Sequence, residues 1–192
     1  MPFANKEDKI GEAIVEGGLN RIEPPYPFKK MEEKMTEVIL ATSYWIHLIA
    51  TAIWIGGIYF ILFIAIPSAK NILGGEAGKL MGEISRRFTP IANYSILLLF
   101  ITGVALTGLN KQFSGIWIFE NKWTLILAIK HIIVFGMIVI HFYRGLVLNP
   151  KIAITESAPD KTTLQKLSLN LVKVNFGLGI VVLLLSGITA VL

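Results

Sequence analysis

The chain has 192 residues, 54% of them hydrophobic, with a formal net charge of +5 and no cysteine. So high a hydrophobic fraction is unusual for a soluble domain. The lack of cysteine excludes a disulfide framework, a thiolate metal site and an iron–sulfur cluster. The basic residues are not interleaved with aromatic ones, so we expect no nucleic-acid partner.

Residues 1–35 form a polar tail of mixed charge. It lacks the apolar core of a signal peptide, so we do not expect it to be one. The stretch KEDKIGEAIVEGGLNRI predicts either a short amphipathic helix lying on the membrane surface or a solvated tail. The following EPPYPF predicts a stiff, extended connector.

Four apolar runs follow, at about residues 38–69, 90–109, 123–148 and 169–192. Each reaches the roughly 20 residues that a helix needs to cross a bilayer. All 13 acidic residues fall outside them. The sequence therefore predicts an all-α integral membrane protein in which residues 36–192 form a four-helix transmembrane bundle.

Basic residues are divided almost evenly between the two ends of this bundle. If the distal tail is discounted, the first and third inter-run loops face the cytoplasm. We therefore expect a multi-pass protein of the cell membrane, in contact with the lipid bilayer, with its N-terminus outside.

The apolar runs contain His47, Lys130, His131 and His141, and no carboxylate. An ionisable group in a span is costly when unpaired, so each is a functional candidate. With a rise of about 1.5 Å per residue, His47 and His131 lie at similar depths on runs that point the same way. Two facing imidazoles suit the axial positions of a b-type haem. The plainer alternative is a hydrogen bond between helices.

His141 lies about 15 Å beyond His131, so these two cannot share one iron. Lys130 would snorkel, lose its proton or pair with an anion. A haem propionate, an anionic lipid or a transported anion would provide that negative charge.

The segments HLIATAIWIGGIYF, RRFTPIANYSILLLFITGV and IKH resemble the membrane domain of the CopD copper-resistance family. The resemblance covers about residues 43–192. It implies copper transport along a path that would use His47, His131, His141 and Met137. The matching positions are His47, Trp54, Gly56, Gly57, Arg87, Phe88, Ala92, Thr102, Gly103 and Lys130.

The chain also resembles the HemJ-type protoporphyrinogen oxidases, small four-span proteins associated with haem b. His47 precedes Trp54 by seven residues, and Lys130 precedes His141 by eleven, as in that family. This resemblance implies that His141 rivals His131 as the second ligand. The family's Tyr-Leu-Pro-Arg and second histidine at the end of the first helix are replaced here by YFILFIAIPSAK.

We therefore expect a membrane-embedded b-type haem protein that carries electrons or does redox chemistry on a small substrate, and whether it is an enzyme (an oxidoreductase) stays open. His47, His131 and His141 are the candidate metal ligands. The other candidate cofactor-binding residues are Lys130, Trp54, Gly57 and Arg87. The alternatives are copper transport, protoporphyrinogen IX oxidation and a non-catalytic anchor subunit. The redox partner and substrate stay open, as does assembly into a homo-oligomer.

Overall fold

The computed structural model describes residues 26–110 and 122–192, and every regular element in these ranges is helical. The predicted all-α class is confirmed for this part of the chain. Two of the long helices continue through a short π-helical turn into a further α-helix. In chain order the elements are α1 (Tyr26–Phe60), a π turn (Ile61–Ala65), α2 (Ile66–Leu73), a 3₁₀ turn (Gly74–Glu76), α3 (Ala77–Gly108), α4 (Lys122–Tyr143), a π turn (Arg144–Leu148), α5 (Asn149–Ile154) and α6 (Ala158–Val191).

The chain divides into two compact units, Met1–Ile39 and Leu40–Leu192. In the first unit the structure describes the beginning of α1. The predicted extended connector is wrong from Tyr26 onward, because the helix begins there. Pro27 is tolerated in the first turn, since the backbone N–H that it lacks would have no intrahelical partner. The amphipathic helix predicted within residues 6–22 lies outside the described residues.

Among the described residues, three helical stretches are long and apolar enough to cross a membrane: Lys30–Gly108, Lys122–Ile154 and Ala158–Val191. The first of them is interrupted at Gly74 by a short 3₁₀ turn, and the Gly74 φ of 51° favours glycine. The predicted runs 38–69 and 90–109 lie on either side of this turn. α3 alone has 32 residues, which at about 1.5 Å each exceeds the roughly 30 Å of a bilayer's hydrocarbon core.

Large apolar side chains cover the outside of the second unit. Leu48, Phe100, Phe135 and Leu184, one from each long helix, are all more than 60% exposed. A soluble protein rarely exposes so much apolar surface, whereas lipid solvates it readily. A smaller set of side chains forms the buried core and joins the four long helices. Its members are Trp54, Ile58, Ala92, Ile96, Met137 and Val172.

Glycine decides how closely some of these helices approach. The backbones of α4 and α6 run close together. A Cβ at Gly179 of α6 would lie 3.4 Å from the Met137 Cε and 3.4 Å from the Ile55 Cδ1, so there is little room for a larger residue. Small residues allow this kind of helix packing in membranes.

Candidate functional site

Polar side chains inside the second unit occupy two levels along α3. We call the first the His47 layer; it contains His47, Thr102, Lys130 and His131. We call the second the His141 layer; it contains His141, Asn93, Trp54 and Met137. Thr102 and Asn93 are nine residues apart on α3, so the layers are separated by about 14 Å along the helix axis.

In the His47 layer, a hydrogen bond determines which ring nitrogen of His47 carries the proton. The His47 Nδ1 lies 2.8 Å from the Thr102 Oγ1. The Thr102 hydroxyl donates its single hydrogen to the Leu98 carbonyl, at 2.6 Å. The His47 Nδ1–H must therefore be the donor to Thr102, which leaves the Nε2 lone pair free to bind a metal.

Two basic side chains, Lys130 and His131, lie within electrostatic range of the His47 ring. Lys130 is half-buried, and it has neither a hydrogen bond nor an ion pair within residues 26–110 and 122–192. On the other side, a Cβ at Gly103 would lie 3.8 Å from the His47 Cε1. The layer thus combines a free imidazole nitrogen with an unbalanced cation.

His131 shares the level of His47 but lies on an exposed part of α4. Its Nδ1 is 2.7 Å from the carbonyl oxygen of Leu127, one turn earlier. A carbonyl oxygen only accepts, so the Nδ1 carries a proton and donates it. In both histidines of this layer the Nδ1 is therefore engaged within the chain, and the Nε2 has no hydrogen bond to a described residue.

The His141 layer is organised differently. The His141 Nε2 lies 2.8 Å from the Asn93 Oδ1, which ties α4 to α3. The ring is 9% exposed, and it meets Trp54 edge-on with a centroid separation of 6.3 Å. His141 thus joins two helices through a buried hydrogen bond from its Nε2, and its Nδ1 has no hydrogen bond to a described residue.

The core beside His141 holds a polar atom that lacks a partner. Met137, one turn before His141 on α4, is 1% exposed and packs in the same core as Trp54. Among the described residues, the buried Trp54 Nε1 has no hydrogen-bond partner, and the same is true of the buried Asn175 Oδ1 on α6. An unpaired donor at low dielectric is costly, so an acceptor beside Trp54 would stabilise this core.

The remaining predicted site residues, Gly57 and Arg87, contact other protein groups. Phe88 occupies the space beside Gly57, where a Cβ would overlap its ring. The Arg87 Nε donates to the Glu83 Oε1 at 2.8 Å, on an exposed face of α3. The structure therefore places Lys130 and His131 within electrostatic range of His47 and places His141 and Trp54 in the other layer. Gly57 packs against Phe88, and Arg87 bonds to Glu83.

Sequence reasoning missed Asn93 and Asn175. A usable signal was present, because both are amides within predicted apolar runs, where polar groups need partners. No cluster of three or more histidine, cysteine, aspartate or glutamate side chains that could hold a metal ion occurs in the described ranges. Any metal held by this part of the chain would need a methionine, a main-chain group or a cofactor as well.

Comparison with known proteins gives one result. The model of the family described as Copper resistance protein D matches residues 82–192. No curated protein and no solved structure matches the chain. The matched segment covers more than half of the chain and includes Thr102, Lys130, His131 and His141, while His47 lies before it. The chain is a multi-pass membrane protein that belongs to the copper resistance protein D family.

Proposed function

We propose that this member of the copper-resistance family binds b-type haem in the His47 layer and carries electrons within the membrane. The observation that carries the proposal is the hydrogen bond from the His47 Nδ1 to Thr102, which leaves the Nε2 free. Metal-binding histidines usually donate their second ring nitrogen in this way, because the bond fixes the orientation of the ring.

Four passes through the membrane belong to the same proposal. His47 of α1 pairs with Thr102 of α3, whereas Gly57, ten residues later on α1, contacts Phe88, earlier on α3. This reversed order supports two antiparallel passes on either side of Gly74. With α4 and α6 they make the predicted bundle.

The residues present suit a haem. His47 would supply one nitrogen ligand, and His131, whose Nδ1 donates to the Leu127 carbonyl and whose Nε2 has no hydrogen bond to a described residue, is the candidate for the second. Lys130 would neutralise a propionate. A bound haem supplies one-electron redox chemistry, and the chain tunes its potential through ligand identity, burial and nearby charge.

Charge favours an anionic cofactor over a free metal cation in this layer. Lys130 lies in this layer within the third predicted run, and none of the four runs contains a carboxylate. A lone copper(I) ion would meet this positive charge unscreened, since the interior has a low dielectric constant. Haem brings two carboxylates with it, so its binding relieves the charge.

Copper(I) as cargo in the His141 layer is the second candidate. A thioether and an imidazole, on Met137 and His141, stand one turn apart in the buried core, and such soft or borderline ligands suit copper(I). Porphyrinogen oxidation ranks below both, because no contact in the described residues favours it.

The test is an optical spectrum of the detergent-purified full chain, expressed with haem supplied, in its oxidised and dithionite-reduced forms. A Soret band and sharp reduced α and β bands are expected for the wild type and should be lost in His47→Ala. A colourless wild-type protein would contradict the haem proposal. Copper(I) titration of the same protein, with Met137→Leu beside it, would then test the second candidate.

A further inference from the structure

A groove opens between the middle of α6 and the segment formed by the π turn Ile61–Ala65 and the first residues of α2. It has a volume of about 430 Å³. Its walls are mainly aliphatic and aromatic side chains, including Leu62, Phe63, Leu169 and Phe176, while Lys70 and Lys173 add two ammonium groups. The groove is therefore amphipathic, and none of its lining residues belongs to either histidine layer.

Aromatic contacts build the wall of this groove. Phe63 meets Phe176 edge-on across the two helices, with a centroid separation of 5.5 Å. Tyr59 lies 5.0 Å from Phe63 and 6.0 Å from Phe176. Leu62 and Phe63 belong to the π turn Ile61–Ala65. Such turns break the regular helical register and often accompany functional sites.

The two lysines are placed at the level of lipid headgroups. Lys70 directly follows the first apolar run, and Lys173 lies near the start of the last run. Both side chains are exposed, and neither has an acidic partner within the described part of the chain. The ion pairs of these ranges engage Lys79, Arg86 and Arg87 instead.

We infer that this groove binds an anionic phospholipid of the bilayer, with the headgroup phosphate between Lys70 and Lys173 and an acyl chain along Phe63 and Phe176. The charge of the lysines complements an anionic headgroup, and the apolar walls complement a chain. A soluble phosphate would contact only the two lysines, whereas a bilayer lipid would contact both the lysines and the apolar walls. The inference does not depend on what the histidine layers bind.

The experiment titrates the detergent-solubilised full chain with short-chain phosphatidylglycerol and, separately, with phosphatidylcholine. Bound lipid is counted by native mass spectrometry, and thermal stability is followed in parallel. We expect saturable binding of phosphatidylglycerol, weakened about fivefold by Lys70→Gln and about fivefold by Lys173→Gln. Lys151→Gln is the matched control, because Lys151 is an exposed lysine on α5, a helix that contacts α6.

A second variant tests the apolar part of the site. Leu169→Trp should fill the groove while keeping both lysines, and we expect it to abolish the saturable binding. Glycerol phosphate, which lacks acyl chains, should not compete. Equal binding of the two lipids, an equal loss in Lys151→Gln, or full competition by glycerol phosphate would each overturn the inference.

Discussion

The two histidine layers contain similar residue types but hold them in different ways. His47 donates its Nδ1–H to a hydroxyl and keeps its Nε2 free, beside a lysine without a partner. His141 engages the Nε2 with Asn93 and is enclosed by Trp54 and Phe142. Each ring thus engages one nitrogen with a side chain of α3 and leaves its other nitrogen without a hydrogen bond to a described residue. The layers therefore differ in what surrounds the histidine: a lysine without a partner lies near His47, whereas a buried aromatic and thioether core borders His141.

The largest expected effect comes from removing the hydroxyl that orients His47. Thr102→Val should lower haem affinity about 10- to 100-fold, because the ring loses the bond that fixes its tautomer and orientation. The measurement is haem titration of the unliganded protein, followed at the Soret band. Ser95→Ala is the control, because Ser95 is a buried hydroxyl that also donates one turn back, to Ile91. An equal loss in both variants would argue against an orienting role for Thr102.

A Gly57→Ala variant tests whether Gly57 is needed for helix packing or for cofactor binding. Gly57→Ala should lower stability by about 1–3 kcal/mol, because the new methyl group displaces the Phe88 ring. Haem content should not change in the folded protein. Gly56→Ala is the matched control, since nothing lies within 4 Å of a Cβ there. Thermal unfolding in detergent compares the two. Intact stability with lost haem in Gly57→Ala would instead place a macrocycle against this residue.

Lys130 should show opposite effects with and without haem. Lys130→Met should stabilise the unliganded protein, because it removes a half-buried cation without a partner. The same change should weaken haem binding about tenfold, because a propionate loses its counter-charge. Lys122→Met, at the exposed start of α4, is the control. Unfolding temperatures of both states and a haem titration measure these effects. Lower stability of unliganded Lys130→Met would contradict the assignment.

Met137 gives the smallest expected effect and tests the second layer. Met137→Leu conserves volume, so it should cost less than about 1.5 kcal/mol of stability and leave the optical spectrum unchanged. If copper(I) is cargo, its affinity should fall because the thioether is lost. Competition against a coloured copper(I) chelator measures this affinity. Unchanged copper(I) binding would remove Met137 from the candidate site.

The sequence predicts the membrane helices better than their ends. The second apolar run begins at Pro90, whereas the helix α3 that contains it begins at Ala77. Hydropathy detects the part of a helix that lipid surrounds, whereas residues 77–89 carry several charged side chains and are helical as well. Glu83 there pairs with Arg86 and Arg87 at helical spacing, and such pairs support a helix in water.

The sequence predicts the similar depth of His47 and His131 from the helix rise alone. It does not predict which side chains surround each histidine. The Thr102 and Asn93 partners, the exposure of His131 and the use of Gly57 by Phe88 depend on how each helix is rotated in the bundle. That rotation is set by tertiary packing, which periodicity in weakly amphipathic apolar runs does not encode.

The most direct test of the two-layer account is the haem-to-chain ratio of two histidine variants purified in parallel, measured by the pyridine haemochrome method. For a b-type site between facing histidines we predict about one haem per chain in the wild type. His141→Gln should keep that ratio, because its position serves packing, while His47→Gln should lose it. Loss in His141→Gln with retention in His47→Gln would contradict the assignment of the two layers.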